Sequence, residues 1–387
     1  MFYKYRQFFI FGLVFFLQAC TQLDNFMLGK ENLPKPSPLS PIKSNVSMVT
    51  KWSIPTNHRN KASTYLKLKP VIRGDMIYTA DASGGASAVN KKNGQVIWST
   101  TIKEGIVSGP SVAEGVVALG TNRSSVIILR ESDGQELLQL KVSGDALSKP
   151  LITHENIIVK TIDGNLYGFS LKTGQSLWET EHGSPSLILK ASSSPIIFDK
   201  LALVGYSDGK LDAVDIRTGN VVWQRSIAYA TGSSDVERLV DIDADPIARG
   251  DLIFLASYQG YVGALSLSSG QFSWRKPASI YKNMAIDSNC LYMTDSNDVL
   301  WAMDRQTGQV KWKQEDLKAR GLTEPTLLGH HLIVGDRTGL LHVLSTQTGK
   351  LIGRLQLGGS IDISPAISGN SVYVMTANGK LNRIVVK

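Results

Sequence analysis

Three carboxylates alternate in Asp241-Ile242-Asp243-Ala244-Asp245. Alternate side chains of an extended segment share one side, so this run gathers negative charge. A calcium loop requires a Gly after the third acid and a distant Glu, whereas Pro246 follows here. We therefore expect a solvated or base-paired cluster, with Arg238 the nearest base, and no metal site. Thiol chemistry is confined to Cys20 and Cys290. Cys290, in Asn289-Cys290-Leu291-Tyr292, reads as a buried small side chain. His154, His182, His330, His331 and His342 are scattered and read as turn or surface residues. No Ser/His/Asp arrangement or phosphate-binding Gly loop is identifiable, so neither catalytic residues nor a cofactor are expected. A second stretch, Ser184-Pro185-Ser186-Leu187-Ile188-Leu189-Lys190, sets an aliphatic run beside a cation. It is either tucked under its loop or offered to a partner.

These residues sit in a chain of 387 residues, 42% of them hydrophobic, with 35 Gly and 2 Cys. The formal charge is +8. It falls to +6 if residues 1–19, with Lys4 and Arg6 and no acid, are removed. The positive charge is mild and dispersed, without the Lys/Arg stripe that nucleic acid requires.

The N-terminus has its own chemistry. Lys4 and Arg6 precede an uncharged apolar run, Phe8 to Leu17. That run is too short to span a bilayer and fits the apolar region of a signal peptide. Leu17-Gln18-Ala19-Cys20 follows and resembles the bacterial lipobox. The resemblance implies cleavage after residue 19 and lipidation of Cys20, which several acyl chains would anchor firmly. Thr21, rather than an Asp, implies the inner leaflet of the outer membrane, facing the periplasm. Residues 20–43 hold Pro34, Pro36, Pro38 and Pro41 and read as an extended, semi-rigid tether.

What positions the acids and the aliphatic run is a repeat. Its tag is clearest in Lys172-Thr173-Gly174-Gln175-Ser176-Leu177-Trp178. The tag glycines are Gly94, Gly134, Gly174, Gly219, Gly270, Gly308 and Gly349. Each lies 24 residues beyond a marker: Pro70, Pro110, Pro150, Pro195, Pro246, Met284 and Pro325. Glycines also recur 14 residues after a marker, at 84, 164, 209, 260, 339 and 379. Between marker and tag, β-branched and alternating segments are punctuated by turn signals such as Asp163-Gly164. Four short strands in about 40 residues describe a propeller blade. The expected fold is all-β: an eight-bladed β-propeller of four antiparallel strands per blade, forming one domain over 44–387. The last marker, Pro365, leaves no room for a fourth strand, and Val46 to Ser53, with Trp52, has no preceding three. That N-terminal segment is expected to complete the last blade. Trp52, Trp98, Trp178, Trp223, Trp274 and Trp312 occupy the fourth-strand position and read as wedges between blades.

The intervals from tag Gly to the next marker are 16, 16, 21, 27, 14, 17 and 16 residues. The two long ones, Gly174 to Pro195 and Gly219 to Pro246, contain the aliphatic run and the acid run. Insertions in repeats map to loops on one face, often the binding face. These two enter consecutive blades, on the face opposite the tags.

Lipobox, Pro-rich tether, tagged blades and these two loops together are similar to the BamB family of outer-membrane assembly lipoproteins. Ser184-Pro185-Ser186-Leu187, Ala230-Thr231-Gly232-Ser233, Arg238-Leu239, Asp241 and Asp243 carry the likeness most specifically. The resemblance implies a non-catalytic scaffold. It would bind the periplasmic POTRA domains of BamA and, through BamA, the other Bam lipoproteins, and assist nascent outer-membrane β-barrel proteins. It implies roles for Leu187, Leu189, Lys190, Asp241 and Asp243 in the BamA contact. Lys190 stands where the family carries Arg; it keeps the charge but not the planar fork. The alternatives are a pyrroloquinoline-quinone-dependent dehydrogenase, whose vicinal Cys pair is missing here, and a glycan-binding propeller.

Overall fold

A computed structural model describes residues 34–56, 66–189 and 192–387. The chain forms two compact units, residues 1–37 and Pro38–Lys387. Of the first, only residues 34–37 are described, without regular secondary structure. The signal segment 1–19 and Cys20 lie outside the described residues.

The described part of the second unit is all-β, with eight four-stranded antiparallel sheets. In the blade that starts at Pro150, the strands are Leu151–Ile152, Asn156–Lys160, Leu166–Ser170 and Ser176–Thr180. Seven sheets are built this way from consecutive strands. The eighth joins Ala366–Ser368, Ser371–Thr376 and Lys380–Val386 to the N-terminal Met48–Pro55. Met48 pairs with Val386 and Pro55 with Lys380, so the two ends of the chain close the ring as expected. First strands of neighbouring blades touch one another, for example Val71–Arg73 with Ala366–Ser368 and with Ile106–Ala113. They line the centre, and the half-exposed fourth strands form the rim.

The core lies between blades. Ile158 and Leu166 of the third blade pack on Ala202, Val204 and Val214 of the fourth, with Trp178 at the edge. Before residue 44 the tether already packs: Leu39 lies on the core between the sixth and seventh blades, and Arg354 donates to the Ser40 carbonyl.

The tag acts through two devices. Its glycine turns the chain at positive φ, from +66° to +76° over the seven copies, and the strand pairing slips by one residue just beyond. The residue before it accepts a hydrogen bond from the amide after it, as Asn93 does from Gln95 and Thr173 from Gln175. The tryptophan then reaches the next blade. Its indole N–H donates to a turn carbonyl there: Trp52 to Lys92, Trp98 to Glu131, Trp178 to Ile216, Trp274 to Arg305 and Trp312 to Thr346, at 2.8–3.2 Å. The ring lies directly over the tag glycine of that blade, so that a Cβ at Gly308 would sit 2.5 Å from Trp274. Trp223 departs from the expectation. At the next tag, Gly270, Arg225 takes the place, donating Nε–H to the Gly270 carbonyl at 2.9 Å.

The 14-residue glycine position is also a backbone requirement in all but the fifth blade, where Gln259, at φ +46°, takes the left-handed conformation in place of Gly260. Where the sequence has Ser124 and Asp298 instead, those residues adopt φ of +50° and +61°.

A side chain at Gly308 would meet both left-handed strain and the overlying indole. Gly308→Ala should therefore destabilise by about 2–5 kcal/mol. Gly74→Ala, at φ +56° with open space around it, should cost about 1–2 kcal/mol. Denaturant titrations of the two variants check this; equal losses would mean that the interlock does not require Gly308.

Candidate functional site

The two long loops lie together, as expected. Pro185, Ser186 and Leu187 of the first and Ala230, Asp235, Arg238 and Val240 of the second wall one shallow cavity of about 260 Å³. In the second loop, residues 232–238 form a tight turn. Glu237 accepts the amides of Ser233 and Ser234, and Arg238 donates to the Gly232 carbonyl. Arg238 pairs with Asp235 at 3.8 Å, and not with the acid run.

The first loop offers Leu187 to solvent, 40% exposed, while Leu189 is half-buried. Lys190 lies outside the described residues. Two further exposed apolar side chains, Tyr229 (70%) and Val236 (58%), stand on the second loop. Neither was expected from the sequence. The signal was available, since both sit inside the longest interval of the repeat.

The acid run is neither solvated nor on the surface. Asp241 and Asp243 are 0% and 1% exposed. The reason is the residues between them. Val240, Ile242 and Ala244 are buried against the fourth and fifth blades, which draws the whole segment inward. The acids then face the ring's interior. Asp241 Oδ1 accepts the Leu189 amide at 3.0 Å, so it holds the first loop from beneath. Asp245 is paired with Lys67, which arrives from the start of the first blade and also donates to the Asp243 carbonyl at 2.8 Å. Burial pushes the Asp245 carboxyl up, but Lys67 outweighs it and holds the group below the usual range. Asp243 has no such partner; neither of its oxygens is hydrogen-bonded among the described residues. Burial, with Asp241 beside it, pushes Asp243 up to about 8, and burial raises Asp241 to about 6. Lys160, 4% exposed, is pushed down to about 8 by burial, with Asp243 opposing.

His182 sits at the root of the first loop, clamped instead of lying on the surface. Its ring stacks on Tyr206 at 3.6 Å, and its nitrogens meet Asp212 at 2.8 Å and Asp208 at 3.2 Å. Burial opposes its charge, but the two carboxylates win and raise it to about 9. His342, likewise read as a surface residue, is 0% exposed and bonded to Asp336 at 3.0 Å. Cys290 is half-buried and its thiol is pushed up, chiefly by burial, away from nucleophile character. Among the described residues, no group of three or more His, Cys, Asp or Glu is placed to hold a metal ion. The arrangement is thus an apolar surface patch resting on a buried, charged support.

A family model described as outer membrane protein assembly factor BamB matches residues 47–106, 83–314 and 315–386. The BamB of Legionella pneumophila (strain Paris) is 59% identical over 95% of this chain and 96% of its own. That of Escherichia coli K12 is 30% identical over 92% and 93%. The crystal structure of BamB from Moraxella catarrhalis superposes with a TM-score of 0.80 at 25% identity, covering 88% of this chain and all of that one. A quinohemoprotein alcohol dehydrogenase from Comamonas testosteroni reaches a TM-score of 0.69 at 13% identity, over 87% of this chain and 76% of its own; that is a likeness of fold alone.

The raised acid has a signed consequence. Between the ordinary 3.8 and about 8, folded Asp243 binds more proton than the unfolded chain, so its contribution to stability falls as pH rises through that window. Asp243→Asn removes the charge and keeps the shape. It should leave the melting midpoint nearly unchanged below about pH 4 and raise it by several degrees at pH 8. Thermal melts across pH check this; a variant less stable than wild type at pH 8 would mean that the ionised carboxylate is needed. His182 acts in the same sense over a higher window: its stabilisation is complete below 6.5 and is lost as pH rises through about 9.

Proposed function

The chain belongs to the BamB family of outer membrane protein assembly factors, and from that premise we propose that it is a lipid-anchored, non-catalytic scaffold that docks onto the POTRA domains of BamA. Through BamA it joins the other Bam lipoproteins and assists folding and insertion of nascent outer-membrane β-barrel proteins. The lipobox and Cys20 support anchoring in the inner leaflet of the outer membrane, with the propeller in the periplasm.

The observation that carries this reading is the exposed Leu187, on a loop pinned by a buried carboxylate. A free apolar side chain on a mobile loop loses entropy when it docks; one held in place loses less. Asp241 fixes the Leu189 amide, and Ile242 donates its amide to the Tyr206 carbonyl at 3.1 Å, so the segment below is itself fixed. Leu187 supplies the apolar burial on which interface energy concentrates, and Tyr229 and Val236, exposed on the neighbouring loop, add to it. Lys190 supplies charge for encounter and orientation. Asp241 acts from inside, by holding the first loop at the Leu189 amide, and Asp243 lies buried beneath the second loop; neither touches BamA.

Affinity capture from solubilised envelopes tests the reading. Leu187→Asp should reduce co-purified BamA at least tenfold, since charging a docking centre costs roughly 2 kcal/mol or more. Val222→Asp, on the rim and 58% exposed, should leave capture unchanged. Asp241→Ala should weaken capture while making the 182–194 loop more sensitive to protease. Equal recovery of BamA with wild type and Leu187→Asp would overturn the assignment of this face.

A further inference from the structure

The residue just before each marker occupies an equivalent place at the mouth of the ring. Around the eight blades these are Lys69, Gly109, Lys149, Ser194, Asp245, Asn283, Glu324 and Ser364. Most of them wall a cavity of about 60 Å³ where the first strands begin, on the loop face. That is room for roughly four to six waters, or for one small oxyanion.

Two lysines and two acids at this level would balance. Lys67, two residues before Lys69, breaks the balance. It lines the same cavity and takes Asp245. Lys69 takes Glu324 at 3.0 Å. Lys282, also in the wall, is satisfied by Asp298 at 2.8 Å. Asp362 lines the cavity too, and accepts the Ser360 hydroxyl at 2.8 Å. Lys149 is the lysine left over: among the described residues no carboxylate lies within ion-pair distance of its ammonium, and only its backbone amide is bonded, to Ser194 Oγ at 3.1 Å. Burial pushes Lys149 down to about 8, with Lys69 and Lys67 adding to the effect and Asp245 and Glu324 opposing it. An ammonium held in such surroundings is stabilised by a counter-charge or gives up its proton.

We propose that this axial cavity is a binding site for a small oxyanion, a phosphate or carboxylate group, with Lys149 as the cation that receives it. Lys67 and Lys69 add a favourable field without leaving their own partners. The Ser364 hydroxyl, at the same level and largely buried, is a further donor in the wall. The site is separate from the loop patch that docks the partner. Lys67 links the two, since its ammonium also reaches the Asp243 carbonyl beneath the second loop and Asn283 Oδ1.

The test is titration calorimetry on the soluble chain lacking residues 1–19, with Cys20 replaced by Ser. The probes are inorganic phosphate and acetate, each at constant ionic strength against chloride. Wild type should bind phosphate or acetate with saturation. Lys149→Met should weaken that binding roughly ten- to a hundredfold, the scale of one charged hydrogen bond. Lys149→Arg keeps the charge and should bind, which separates loss of the site from loss of the fold. Lys313→Met, on the rim, should bind as wild type does. Two outcomes would overturn the proposal: neither anion binding better than chloride, or Lys149→Met binding as tightly as wild type. Binding of phosphate but not acetate would assign the site to phosphate groups, and the reverse to carboxylates.

Discussion

An indole ring lying on a residue without a side chain holds the ring of blades together. The tryptophan of one fourth strand needs a flat floor and an acceptor for its N–H; the turn of the next blade supplies both. The floor is a glycine at positive φ, and the acceptor is a carbonyl of the same turn. Neither half works alone. A Cβ on the floor would strike the ring, and a buried indole N–H without an acceptor would cost about 1–3 kcal/mol. The pairing therefore sets the distance and angle between blades; it recurs at five of the seven tag glycines, and the N-terminal strand closes the ring. The exceptions keep to the same logic. Leu138 and Leu140 cover Gly174 with aliphatic carbon, and Arg225 covers Gly270 while bonding its carbonyl.

At the centre of the ring the problem is reversed. The first strands are short and converge, so the space between them is narrow and lined by whatever precedes them. Here that lining is charged. Burying an ion costs several kcal/mol unless it is paired and hydrogen-bonded, and the pairs found are long-range ones. Lys67 and Asp245 are separated by 178 residues, Lys69 and Glu324 by 255. These contacts tie blades that are not neighbours, the first to the fifth and the first to the seventh, and make the segment 239–245 part of the interior. The first loop rests on that segment through the Leu189 amide. The stiffness of the docking face is thus inherited from ion pairs at the axis.

What was legible in the sequence follows from this division. The blade count, the strand order within each blade and the closing strand were readable because the tag is a local backbone requirement, repeated at a fixed offset. The docking loops were readable as failures of that offset. The environment of the acids was not. Asp241, Asp243 and Asp245 alternate with Val240, Ile242 and Ala244, a pattern that fits either a half-exposed strand or a wall with both sides buried. Only the location of Lys67 and Lys160 across the ring decides between them, and no local spacing encodes it. His182 and His342 were misread for a related reason. Each is kept inside by a carboxylate, Asp212 of the next blade for His182 and Asp336 of the same blade for His342. Trp223 was misread because its position matches the wedge while the side chain two residues on does the covering.

The two faces of the ring are consequently free to different degrees. On the tag face each turn is fixed twice, by the φ of its glycine and by the side chain that covers it, so an insertion there would separate two blades. On the opposite face a fourth strand hands over to the next first strand with no such fastener. Fourteen to 27 residues are accommodated between tag and marker without disturbing the 24-residue frame. A recognition surface can grow on that face because the fold asks nothing of it beyond returning the chain to the axis. The condition is that the returning segment be anchored, and the charged lining of the axis is what anchors it.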